Sequence, residues 1–231
     1  MAKSGRSSRL AAEGELRSAP TRQALVEAAI ETLQTDGFSG ASARAIARRA
    51  GCNQALVFYH FGSVVDLLLA ALDSVSDSRL KHYSAAVEGI GSLKALVEVA
   101  ATIFREDLEK GYITVLAEMI AGASSTPGLG AEVAARILPW KQFAEQIINS
   151  TLSGTALGEL IPSGDLAHGA VALYLGLELL SHLEENREAS QSLFDHAKRL
   201  TVIAEAFGVG EMLGEAPPAP REEHRNEKWH V

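Results

Sequence analysis

Apolar residues recur every three or four positions along most of this chain, with Gly, Pro and Ser interrupting them at intervals, so the sequence reads as a succession of helices. Thr21 opens the first, in which Leu25, Ala29 and Leu33 keep helical spacing. Asp36-Gly37 closes it, with Phe38 placed to enter a small core. Two short helices follow, with Ile46, Ala47 and Ala50 forming a narrow apolar stripe on one and Val57 and Phe61 one turn apart on the other. Ser42 and Asn53 are their N-cap candidates, because each side-chain oxygen can accept an amide left unpaired at a helix start. Gly51 between them is where the chain must swing, since glycine alone enters the left-handed region without steric cost. Three helices in about forty residues lie near the lower size limit for independent stability, so this unit is expected to lean on the next helix.

That next helix starts at Gly62-Ser63 and runs through Leu67, Leu68, Ala71 and Val75 to about Val87, long enough to act as a lever. A helix over Leu93 to about Glu109 carries Leu96, Ala100, Ile103 and Phe104 on one face, and a shorter one spans Tyr112 to Ala121. After a Gly/Ser/Pro loop at 122–130, Ala131 to Leu152 form a long helix that Pro139 should kink near Ile137. Two leucine-rich helices, about Ser163 to Glu185 and Arg187 to Phe207, meet at a short polar turn around Asn186. Residues 1–20 hold Lys3, Arg6, Arg9 and Arg17 with too little apolar pattern to pack, and read as a flexible basic arm. Residues 208–231, with adjacent prolines and mixed charges, read as a disordered tail. The result is an all-α fold of nine helices, divided into an arm (1–20), a helix-turn-helix domain (21–62), a helical body (63–207) and a tail (208–231).

Composition narrows the chemistry. The 231 residues are rich in Ala and Leu and lack long Val/Ile/Thr alternation, which disfavours a sheet. The net charge of −8 is unevenly spread: residues 1–62 hold eight Lys/Arg and five Asp/Glu, and the remainder holds thirteen and twenty-four. A basic module on an acidic body can still bind phosphate, because screening confines the repulsion to about a Debye length. With one cysteine, Cys52, no intrachain disulfide is possible. Cys52 stands where the turn buries a small residue and reads as a small hydrophobe rather than a redox switch. No Cys/His cluster has metal spacing, and no phosphate loop or nucleophile-base arrangement is present, so neither a metal, a cofactor nor an enzyme is expected. There is no signal-peptide core and no uncharged apolar run of about 18 residues, so the expectation is a cytoplasmic protein with no membrane partner.

Thr21-Arg22, Asp36-Gly37-Phe38, Ala45-Ile46-Ala47, Ala50-Gly51 and the run Asn53 to Ser63 together resemble the tetracycline-repressor (TetR) family of bacterial transcription regulators, over roughly residues 21–72. The resemblance implies a three-helix DNA-binding domain, a larger domain for ligand and dimer contacts, and double-stranded DNA with a palindromic operator as partner. A recognition helix in the major groove needs small or polar side chains near its start. Gln54 can pair with adenine, and Ala55 and Leu56 can touch thymine methyls, with Phe58 and Tyr59 extending from the exposed side. By position in the family pattern, Tyr59 and His60 contact backbone phosphates and Arg44 reaches a guanine or a nearby phosphate, with Arg22 and Arg48 as backbone candidates. Ser42, Asn53 and Ser63, at the helix starts, complete the expected DNA-facing set. Two positions depart from the pattern. Val64 stands where a lysine often faces phosphate, leaving the Gly62 and Ser63 amides to hold it, and Phe58 stands where tyrosine is usual.

Two recognition helices one DNA turn apart read a palindrome, so a homodimer is expected, and the last two helices are its candidates through Leu173, Gly176, Leu177, Leu180, Leu193 and Leu200. In the family these helices pack against their copies as a four-helix bundle. Bulky residues of the middle helices, Phe104, Tyr112, Met119, Trp140 and Phe143, are candidates for a mainly apolar pocket, with His168, Tyr174 and Glu178 on the following helix able to supply hydrogen bonds. Such a pocket suits a lipophilic small molecule as effector. Repression and ligand release follow from the resemblance; an activator of the same fold, or a helical ligand carrier that never touches DNA, are the alternatives, and the basic first 62 residues weigh against the carrier.

Overall fold

The computed structural model describes the backbone of residues 4–183 and 188–206 and the side chains of 19–155, 158–183 and 188–203. Ten helices occur among them, with no strand: α1 (Ser4–Gly40), α2 (Ala43–Arg49), α3 (Ala55–Phe61), α4 (Val64–Val87), α5 (Leu93–Lys110), α6 (Tyr112–Ala123), α7 (Leu129–Leu152), α8 (Ala156–Leu160), α9 (Ser163–Leu183) and α10 (Glu188–Ala206). The all-α reading holds. α8 is the added element, a short helix in the segment that the sequence pattern leaves between two long ones.

The helix expected to start at Thr21 extends back to Ser4, through the stretch that composition marks as an arm. Leu10, Ala11, Ala12, Glu13 and Leu16 are good helix formers, and a helical backbone does not require a buried face. The tail at 208–231 and the turn around Asn186 lie outside the described residues. α7 continues through Pro139 as a single element.

The caps explain where the short helices begin. Ser42 Oγ accepts the Ala45 amide at 3.2 Å, and Ser63 Oγ accepts that of Asp66 at 3.0 Å. Asn53 lies one residue before the cap position of α3, yet its Oδ1 still accepts the Ala55 amide at 2.8 Å. Gly51 takes φ +66°, the left-handed turn that α2 and α3 require.

The small domain does not stand on its own core. Leu25, Ala29 and Leu33 of α1, Ile46 of α2 and Val57 of α3 are fully buried in one apolar cluster with Leu67, Leu68 and Ala71 of α4 and Ile113, Val115 and Met119 of α6. α1 packs on both α4 and α6, while α9 lies along α7 and α10 along α5. Phe38, expected to fill the small core, is half-buried at the junction with α6. Its amide donates to Glu118 Oε2 at 2.7 Å, and its ring lies against Gly122. Four residues earlier, Gln34 Nε2 donates to the Lys110 and Gly111 carbonyls at 3.2 and 3.1 Å. The first three helices are therefore docked on the α5–α6 corner through both apolar and polar contacts.

A Cβ at Gly122 would fall 2.5 Å from the Phe38 ring, and the ring cannot yield without lifting the end of α1. Gly122→Ala should lower stability by about 1–3 kcal/mol through overpacking, read as a reduced midpoint in urea unfolding.

Candidate nucleic-acid interface and internal cavity

α3 buries Val57 and turns Ala55, Phe58 and Tyr59 outward, with Phe58 52% and Tyr59 78% exposed. Large aromatics left so open on a seven-residue helix form a surface held in place for a partner. Gln54 and Asn53 are exposed at the helix start, where the α2–α3 turn brings them forward. Arg44 and Arg48 are exposed one turn apart on α2. At the far end of α3, His60 is half-buried and packs edge-on to Tyr59 at 4.9 Å, and the Arg22 guanidinium of α1 lies 4.9 Å above the Phe61 ring. The structure therefore gathers Arg22, Arg44, Arg48, Gln54, Ala55, Phe58, Tyr59 and His60 around two short helices.

Three expected residues are differently engaged. Leu56 is half-buried against the core, so it offers a thymine methyl less surface than Ala55 does. Ser42 Oγ is occupied as a cap. Ser63 Oγ both accepts the Asp66 amide and donates to Asp66 Oδ2 at 2.6 Å, so the start of α4 already carries a carboxylate where the sequence pattern suggests a phosphate. Arg49, the neighbour of Arg48, points the other way. It donates to Thr32 Oγ1 at 2.6 Å and Thr35 Oγ1 at 3.0 Å and pairs with Asp36 at 3.4 Å, which ties α2 to α1. The Cys52 thiol is half-buried, and burial raises its pKa, as befits a packing residue.

Within the body, α4, α5, α6, α7, α9 and α10 enclose a cavity of about 410 Å³, in the size range of small-molecule sites. Its wall is mainly apolar. Tyr112, Trp140, Phe143 and Tyr174 line it as expected candidates, joined by Phe194, Tyr83 and the arginines 79 and 136. Phe104 and Met119 are fully buried and do not line the cavity, the Phe104 ring backing the lining rings of Tyr174 and Phe194 at 5.6 and 5.1 Å, and His168 is exposed on the outside of α9; a helical apolar register alone does not separate core from lining.

One side of the cavity is backed by a buried polar cluster. Arg79 of α4 donates Nη2 to Asp107 of α5 at 2.5 Å and to Glu178 of α9 at 3.0 Å, and Nε to Tyr83 at 3.1 Å. Asp107 Oδ2 also accepts the Tyr83 and Tyr174 hydroxyls, the latter at 2.9 Å. Burial raises the pKa of both tyrosines, so they remain donors. Burial would lower that of Arg79, but Glu178, Tyr83 and Asp107 hold it up, so it stays a cation. Glu178 is fully buried with Oε2 unpartnered; burial and the nearby Asp107 charge outweigh Arg79 and push its carboxyl up to about 7. Arg79, Tyr83 and Asp107 escape a sequence reading because charged residues are assigned to the solvent side by default. The available signal is register: Val75, Arg79 and Tyr83 follow one another at four-residue steps on the buried face of α4.

On the outside of the body, Leu180, Leu193 and Leu200 are 43–63% exposed, together with Leu183, Val202 and Ile203, whereas Leu173, 59% exposed, contributes to the cavity wall. Gly176 faces open space, and Leu177 turns to the cavity wall. α9 is apolar and long enough to cross a bilayer by composition, but it packs along α7 and carries the buried Glu178.

With this geometry in place, likeness to known proteins is informative. Residues 25–71, which span α1 to α4, match the bacterial regulatory proteins of the tetR family. An uncharacterised HTH-type transcriptional regulator of Mycobacterium tuberculosis is 29% identical over 99 residues, 43% of this chain; the match spans about half, 51%, of that relative's length. The HTH-type transcriptional regulator UidR of Escherichia coli is 23% identical over 79% of this chain and 91% of its own. Among solved structures, a TetR-family regulator from Cytophaga hutchinsonii superposes with TM-score 0.65 at 20% identity, over 80% of this chain and 95% of that one. Salmonella enterica GusR superposes with TM-score 0.63 at 20% identity, over 82% and 95%. These structures share the fold.

The Glu178 carboxyl supplies a pH test. Its folded pKa of about 7 lies above the ordinary 4.5, so the folded state holds a proton that the unfolded chain has lost. Stability from this group is complete at low pH and declines as pH rises from about 4.5 to 7. Glu178→Gln should remove that decline and be the more stable protein at pH 8, by about 3 kcal/mol, with the difference shrinking toward pH 5 in denaturant titrations.

Proposed function

We propose that this chain, whose residues 25–71 match the tetR family of bacterial regulatory proteins, is a cytoplasmic transcriptional repressor of that family that binds a palindromic operator as a homodimer and leaves it when a lipophilic small molecule fills the cavity. The observation that carries the reading is the exposed face of α3, where Gln54, Ala55, Phe58 and Tyr59 stand clear of the core while Val57 anchors the helix. Gln54 reads an adenine edge, Ala55 meets a thymine methyl, and Tyr59, His60 and Arg22 reach backbone phosphates on one side, with Arg44 and Arg48 on the other. Asp66 at the start of α4 and Val64 beside it leave this grip with fewer cationic contacts, so the aromatic and amide groups of α3 bear more of the selectivity.

Dimerisation supplies the second half-site. Exposed leucines recur on α9 and α10, and a second copy covers them in this reading. Release follows from the position of α4. Its first half packs on α1 and α3, and its second half, from Leu72 to Tyr83, lines the cavity. A ligand that fits better when α4 is displaced shifts the protein toward the released state by its differential affinity, and equal binding to both states would shift nothing.

On a duplex that binds the wild-type protein, Tyr59→Ala should weaken binding across sequences without loss of stability, and Gln54→Ala should relax preference at one base pair, costing about 1–3 kcal/mol there. Fluorescence anisotropy at fixed salt reads both. For the dimer, sedimentation velocity should give twice the chain mass, and Leu180→Glu should give the chain mass with weaker DNA binding. A wild-type monomer would contradict the α9–α10 interface.

A further inference from the structure

We propose that the cavity is incomplete in a single chain and that a second copy roofs it, so that the small-molecule site belongs to the dimer; this rests on the α9–α10 dimer and on the reading of the cavity as the effector site. The wall itself reaches the surface. Ala170 and Leu173 of α9 both line the cavity, yet both are exposed, Leu173 to 59%. Apolar lining that runs out into solvent is uncovered surface, and covering it is favourable in proportion to its area.

The opening follows from how the last two helices are held. α9 lies along α7 and α10 along α5, and a buried hydrogen bond of 2.6 Å between Ser181 Oγ and Ser190 Oγ joins the two near their connection. One turn further along each helix the cavity wall begins, with Leu177 and then Leu173 and Ala170 on α9, and Phe194 and then Ala197 on α10. The spacing beside this mouth says what fits over it. Leu173 and Leu180 on α9, and Leu193 and Leu200 on α10, are pairs seven residues apart, and all four are 43–63% exposed. Seven residues is the repeat by which one helix seats against another along a seam, so the occupant is helical. A second copy of α9 and α10 brings two such seams of its own, as a self-complementary two-fold contact requires. Gly176 lies between the two α9 leucines, and a Cβ there would meet nothing within 4 Å, which leaves room for a helix to come close. A site shared in this way tightens the dimer when it is filled, so an effector releases DNA through the tilt of α4 and not by splitting the dimer.

The test is uptake of the neutral fluorophore N-phenyl-1-naphthylamine, whose emission rises in apolar surroundings, by the full chain without DNA. Protein is diluted through the dimer–monomer transition, which sedimentation follows in parallel. The dimer should take up one probe per chain, and affinity should fall about tenfold as it dissociates, within the usual range of coupling between sites. Leu180→Glu, which lies off the cavity wall, should show the weak value at concentrations where the wild type is dimeric. Saturating probe should in turn tighten the wild-type dimer by at least the same factor, because linkage is reciprocal. Equal affinity in dimer and monomer overturns the proposal, since each chain then closes its own cavity. A dimer that takes up no probe also overturns it, since the partner then fills the space rather than roofing it. A wild type that is monomeric throughout removes the α9–α10 dimer as well, whereas a dimer whose uptake ignores dilution keeps that interface and loses only the shared site.

Discussion

α4 belongs to two cores at once, and the rest of the molecule is arranged around that fact. Near its capped start, Leu67, Leu68 and Ala71 are buried with Leu25 and Leu33 of α1 and Val57 of α3. Two turns later Val75, Arg79 and Tyr83 stand on the wall of the cavity. A helix of 24 residues is about 36 Å long, and a continuous hydrogen-bonded ladder transmits a tilt at one end to the other. α6 gives the arrangement a second point of attachment. Its Tyr112 and Leu116 line the cavity, while Glu118 and Gly122 hold the end of α1 through Phe38. The first three helices are thus fixed to both elements, α4 and α6, that line the cavity.

The polar cluster behind the cavity is a poor device for stability alone. Desolvating an arginine and two carboxylates costs several kcal/mol, and an apolar replacement of equal volume is often neutral or stabilising. Here it joins α4, α5 and α9 with directional bonds, which fixes the register of three helices that apolar contacts alone would leave free to slide. It also sets the electrostatic character of an otherwise oily space. Arg136 and Trp140, one turn apart on α7, repeat the theme along the same cavity by bonding Asp73 and Ser76 of α4.

Local rules made the first three helices legible in the sequence. Ser42 caps α2, Gly51 turns the chain in the left-handed region, and Leu25, Ala29, Leu33, Ile46 and Val57 are buried, because each depends on neighbours a few residues away. What escaped depends on distant partners. Phe38 packs on the shared core as its position suggests but also meets Gly122 of α6, and Ser63 meets Asp66, whose charge changes what that helix start can hold. Arg79 and Asp107 look like surface charges until the fold brings them together, and Phe104 and Met119 look like lining until it buries them. The exposed leucines of α9 and α10 are the converse case, since their spacing reads as core and only the three-dimensional arrangement leaves them outside.

The central claim, that α3 and its turn read operator DNA from a two-fold assembly, is tested most directly by selecting bound duplexes from a random pool with the purified full chain at stated salt and sequencing them. The account predicts enrichment of a palindrome whose half-sites lie about one helical turn apart. Recovery of no common sequence, or of a single unrepeated half-site, would contradict it.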